Sequence, residues 1–113
     1  MSTLRQCPDL PISATLQACK QALTRHYGKQ LKGLILFGSA ARQALTPTSD
    51  IDLLVLLDRP LDYGQELRAI VEVLYPLQLE ADYWISAKPA DPEEFAAGLT
   101  QLYRNIQGEG VLL

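Results

Sequence analysis

The stretch "LFGSAARQALTPTSDIDLLVLL", residues 36–57, holds two oily runs joined by a short polar connection, and it sets two aspartates at the mouth of the second run. An apolar run bounded by glycine, such as "LKGLILFG", reads as a buried β-strand, and "DIDLLVLL" reads as another. "AARQAL" supplies one or two helical turns between them, and "TPTS" breaks those turns. The link spans only twelve residues, Ser39 to Asp50, which favours an antiparallel pairing over a full parallel crossover. Gly38 and Ser39 then lie beside Asp50 and Asp52. A carboxylate among apolar strands is costly unless a cation or a good set of hydrogen bonds meets it.

Outward from this centre, a helix is expected over Ala14–Tyr27, capped by Ser13 and ended by Gly28, with Leu16, Cys19, Leu23 and Tyr27 inward. A second helix fits Tyr63–Tyr75, with Asp62 as cap, Leu67, Ile70, Val71 and Leu74 on one face, and Pro76 as its stop. "LQLEADYWIS" alternates well enough for a third strand, which a right-handed crossover sets parallel to the second and brings Asp82 near the aspartate pair, with Glu80 on the same strand face. "ADPEEF" starts a last helix, with Asp91 as cap, Pro92 at its first position and Glu94 three residues after the cap. That helix turns Phe95, Leu99, Leu102, Tyr103 and Ile106 inward and ends near Gly108, leaving "VLL" as a short edge strand able to extend a sheet across a homo-oligomer. The expected fold class is α/β (α+β): one small mixed β-sheet with helices packed on it, in a single domain over residues 1–113.

Composition narrows the chemistry. The 113 residues are 48% hydrophobic and 20% charged, with a net charge of -3, so no basic field exists for sequence-independent duplex nucleic-acid binding. No run approaches the ~20 apolar residues needed to cross a bilayer, and the N-terminus has no secretory pattern. A cytoplasmic protein with no membrane partner is expected. Cys7 and Cys19 with one histidine cannot build a zinc site, and free thiols are the simpler reading.

On a strand, Asp50 and Asp52 project to one face with Cα atoms roughly 6.8 Å apart, so both carboxylates can converge on one hard cation such as Mg²⁺. Asp82 would add a third carboxylate and permit two ions about 3.5–4 Å apart. Gly38 has no side chain to hold a triphosphate off the backbone, Ser39 offers a hydroxyl and an amide, and Arg42 can add a planar charged donor. His26 reads as a surface residue, and Tyr83 and Trp84 as packing residues.

Gly38-Ser39, ten intervening residues, then Asp50-Ile51-Asp52 resembles the G-S-x10-D-x-D signature of the DNA polymerase β nucleotidyltransferase superfamily. In length and in "LFGSAAR" with "SDIDLLVLL" the chain is most similar to the minimal nucleotidyltransferases, the MNT-type antitoxin partners of HEPN toxins. The resemblance implies that Gly38 and Ser39 bind the triphosphate of ATP, with Arg42 beside them. It implies that Asp50, Asp52 and Asp82 hold Mg²⁺, two ions in all, and that Asp82 helps to deprotonate an acceptor hydroxyl. Gln43 departs from the pattern, which often has glycine after the arginine. The implied reaction moves AMP from ATP to a hydroxyl, and the implied acceptor is a tyrosine of a HEPN-family toxin in a toxin-antitoxin pair. Two alternatives accompany it: nucleotidyl transfer to a small molecule such as an aminoglycoside, and a non-catalytic antitoxin that only binds its toxin.

Overall fold

In a computed structural model, residues 5–6, 12–42, 46, 48–58 and 62–113 are described. The elements are β1 (Arg5–Gln6), α1 (Ser13–Tyr27), β2 (Leu31–Phe37), α2 (Gly38–Ala41), β3 (Asp50–Leu57), α3 (Tyr63–Glu80), β4 (Trp84–Ala90), α4 (Pro92–Ala96), α5 (Gln101–Glu109) and β5 (Val111–Leu112). A short 3-10 turn over Gly28–Gln30 joins α1 to β2. Five strands form one mixed sheet in the order β1-β5-β2-β3-β4. β2 runs antiparallel to β3, as the short connection requires, and β4 runs parallel to β3 after the α3 crossover.

Alternation divides the sheet's two faces. Leu34 and Leu36 of β2 and Ile51, Leu53, Val55 and Leu57 of β3 pack against α1 and α3 through Leu16, Cys19, Leu23, Ile70 and Leu74. Ile35, Phe37, Leu54, Leu56 and Ala90 face the other way and are covered by Phe95 of α4 and Ile106 of α5. Asp50 and Asp52 belong by alternation to this second face, ahead of Leu54. Tyr27 ties α1 to α3 by donating its hydroxyl to the buried Glu66 carboxylate at 3.1 Å.

Several expectations are corrected, the first at the start of α1, where Ser13 is already the first helical residue and Ile12 takes the N-cap position. Pro76 does not stop the second helix, which continues to Glu80. Contacts made by the next two residues outweigh the loss of one backbone donor: Leu77 packs against the core, and the Gln78 side chain bonds Tyr83 O at 3.0 Å and accepts from Ile85 N at 2.6 Å. The third strand therefore begins at Trp84 instead of Leu77, and Val71 on the helix is exposed. The last helix is two helices, because Gly98 at φ +62° turns the chain after α4 and the Thr100 side chain then caps α5 by accepting from Tyr103 N. Leu99 and Leu102 fall near this break and are exposed. The C-terminal "VLL" is not an edge: β5 lies between β1 and β2, Val111 is fully buried, and Leu113 N donates to Leu34 O.

Candidate active site

The site forms where β2 ends and β3 begins. Phe37 is the antiparallel partner of Asp52, so the next residue, Gly38, turns directly over the Asp52 side chain. Gly38 has φ +73°, a conformation that L residues with a Cβ rarely adopt. A Cβ there would overlap Asp52 Oδ2 and lie 3.3 Å from Cγ, so the glycine is required by conformation and by space. Ala40 and Ala41 then bury their methyl groups in the core and pin α2, leaving Ser39 half-buried beside the turn.

The other flank is a polar turn. Thr46 N donates to Ser49 Oγ at 2.9 Å and Ser49 N donates to Thr46 O at 3.0 Å, which delivers the chain into Asp50. Asp50 is exposed and Asp52 half-buried. Partial burial, reinforced by the negative charge of Asp50, pushes the Asp52 carboxyl above its ordinary value, and the positive charges of Lys88 and Arg42 oppose the shift. Two carboxylates that repel each other at the edge of a dry sheet suit a hard cation, and Mg²⁺ commonly takes one or two carboxylates with phosphate oxygens and water.

Not every expected residue joins this pair. Arg42 follows α2 and donates from a guanidinium N–H to Glu109 Oε1 at 3.1 Å at the end of α5, while its charge still reaches Asp52. The ion pair is half exposed and worth about 0–1 kcal/mol. Little therefore holds the guanidinium away from an anionic ligand. Gln43 lies outside the described residues. Asp82 is exposed in the bend before β4, and Glu80 ends α3, so neither lies on a strand face. Among the described residues no group of three His, Cys, Asp or Glu side chains is close enough to hold a metal ion. His26 instead packs edge-on against Tyr27, away from the aspartates.

The parallel register reveals neighbours that sequence reasoning missed. Asp50 pairs with Trp84, Asp52 with Ser86 and Leu54 with Lys88, which places Trp84, Ser86 and Lys88 on the aspartates' face of β4. Alternation alone could have found them had the strand been started at Trp84.

Comparison with known proteins agrees with this geometry. The model of a family described as "Nucleotidyltransferase domain" matches residues 16–113. The chain is 33% identical over 93 residues, 81% of its own length and 87% of the relative's, to a Methanocaldococcus jannaschii protein named "Putative protein adenylyltransferase". The matched span contains the Gly38 turn, the aspartate pair and β4 together, and the chain belongs to the nucleotidyltransferase domain family.

Proposed function

We propose that this nucleotidyltransferase moves AMP from ATP to a hydroxyl group of another protein. The observation that carries the reading is the apposition of Gly38 to Asp52, which brings a backbone turn with no side chain against one of two neighbouring carboxylates. Asp50 and Asp52 would hold Mg²⁺, which supplies charge neutralisation for a reacting polyphosphate. Gly38 and Ser39 seat the β- and γ-phosphates, and Arg42 turns from Glu109 to add a charged donor. The acceptor oxygen bonds the α-phosphorus, the bond to the bridging oxygen of the β-phosphate breaks, and pyrophosphate leaves with the electron pair. Asp82, exposed in the bend before β4 and apart from the aspartate pair, would take the hydroxyl proton from an acceptor brought to that side.

A protein acceptor accords with the name of the Methanocaldococcus relative. In keeping with the resemblance to the MNT-type antitoxins, the acceptor we propose is a tyrosine of a HEPN-family toxin encoded nearby, in a cytoplasmic setting. Among the described residues no helix is long and apolar enough to cross a membrane.

The test is labelling with ATP carrying radioactive phosphorus at the α or the γ position, with Mg²⁺ and the HEPN-family protein of the neighbouring gene. Label transferred from the α position alone, and lost in Asp52→Asn, is the expected result. Label from the γ position would mean phosphoryl transfer and would overturn the reading; complex formation without label would support a non-catalytic antitoxin.

A further inference from the structure

We infer that the apolar groove between α3 and β4, lined in part by Trp84, is the surface on which the acceptor protein docks, by a helix with basic flanks. The inference rests on the proposed transfer to a protein. The groove has a volume of about 340 Å³ and is lined by Leu67, Val71, Tyr75, Leu79, Trp84 and Ile85 among others. Val71, Tyr75 and Leu79 recur every four residues along α3, and all three are more than half exposed, as is Trp84 at 66%. Large apolar side chains gathered in one exposed stripe, in place of being scattered singly, mark a contact surface.

Its position relative to the aspartates indicates the occupant. An in-line displacement needs attack from the side opposite the leaving group. Gly38 and Ser39 close over Asp52 from the β2 side, so a polyphosphate seated there leaves the β4 side, toward Trp84 and Ser86, for the acceptor oxygen. Trp84 is the register partner of Asp50 on that strand and also lines the groove; the groove floor, Ile85 and Ala87, lies on the α3 face of the sheet, so the groove runs along the outer edge of the sheet and borders the aspartates' face at Trp84.

Charge separates the candidate occupants. Glu72, Glu80 and Asp82, all exposed, adjoin the stripe in sequence, against Arg68 alone on the same stretch of α3. A second copy would set acid against acid, whereas a partner with lysine or arginine flanks is complementary. The mode of docking is decided by the edge of β4. The Gln78 amide already occupies Tyr83 O and Ile85 N, and Pro89 has no N–H to donate, so strand addition is blocked at both ends. An amphipathic helix, which binds through side chains at three- and four-residue spacing, needs none of those backbone groups.

The test uses the full chain, ATP with Mg²⁺ and the neighbouring HEPN-family protein as acceptor. Tyr75→Ser with Leu79→Ser should raise KM for the acceptor about tenfold or more and leave ATP affinity by equilibrium dialysis unchanged. Trp84 is the single tryptophan of the chain, so its fluorescence should shift on adding the acceptor and not on adding Mg-ATP. An unchanged acceptor KM in the double variant overturns the inference. So does quenching by Mg-ATP without acceptor, which would make Trp84 a nucleobase platform, or a concentration-dependent dimer that the double variant dissociates. If wild type binds ATP yet labels no protein, the protein-acceptor reading has failed and the inference falls with it; label with an unaltered KM sinks the inference alone.

Discussion

Replacing Gly38 by alanine should damage this protein in two separable ways, and two other glycines supply the controls. Gly38, Gly28 and Gly98 all have positive φ, at +73°, +58° and +62°. Holding an alanine in the left-handed helical region costs about 1–2 kcal/mol; Gly28, at ψ -127°, lies outside it in the mirror-β region, where the strain on an alanine is larger. A Cβ at Gly28 would meet nothing within 4 Å, so Gly28→Ala reports this strain alone. At Gly38 the Cβ would also displace the Asp52 carboxylate, and forcing a side chain off its rotamer adds about 0.5–1.5 kcal/mol. Gly38→Ala should therefore cost about 1.5–3.5 kcal/mol in urea unfolding, and each kcal/mol lowers Tm by about 4–8 °C in a domain near this size. In an Asp52→Ala background the extra part should vanish, leaving the backbone strain at Gly38 alone. Activity divides the variants more sharply. Moving a metal-binding carboxylate by about 1 Å costs on the order of 100-fold in rate, whereas Gly28→Ala and Gly98→Ala should transfer nucleotide at wild-type rates. A Gly38→Ala cost that is the same in the wild-type and Asp52→Ala backgrounds, with activity kept, would refute the assigned apposition of turn and carboxylate.

Asp52→Asn should stabilise the protein when no divalent ion is present. Because the folded carboxyl holds its proton more tightly than the unfolded one, ionising it costs stability, and that cost appears as pH rises from the ordinary value of 3.8 through the folded one. Urea unfolding in chelator should show wild type and variant alike at the acid end and the variant ahead at neutral pH. Added Mg²⁺ should then stabilise wild type only, and equal stabilisation of both would argue against a metal at this pair. Asp91→Ala should cost about 1 kcal/mol, since its side chain accepts from Glu93 N and Glu94 N at the start of α4, with Asp91→Asn nearly neutral in the same melt. Cys19 is fully buried and its thiol is pushed up to about 11, so in a Cys7→Ser protein a thiol reagent should react only as fast as the fold opens. Prompt modification under native conditions would contradict that burial.

The candidate site was legible because its parts are local. A glycine-bounded apolar run, a short polar connection and two acids two residues apart determine a hairpin-like approach of Gly38 to Asp52 through strand period and chain length alone. The caps at Asp62 and Asp91 were legible for the same reason, each being a side chain three residues or fewer from the amide it serves. Asp82 was harder, because its place depends on where a helix yields to a strand. The local rule for Pro76 ends the helix there, yet Gln78 binding to Tyr83 and Ile85 carries it four residues further and moves Asp82 into a bend. Ser86 and Lys88 escaped notice because they take their meaning from the register of β4 against β3.

What the amino-acid sequence by itself determined was the order of the main strands and helices, the antiparallel approach of β2 and β3, and the shared face of Asp50 and Asp52. These arise from side-chain periodicity, caps and connection length, which act over a few residues. Tertiary structure alone decided that Trp84 stands beside Asp50, that Arg42 rests on Glu109, and that Val111 is an interior strand residue. Those outcomes come from burial and pairing between segments distant in the chain, where small differences among competing contacts, none of them visible locally, choose the partner.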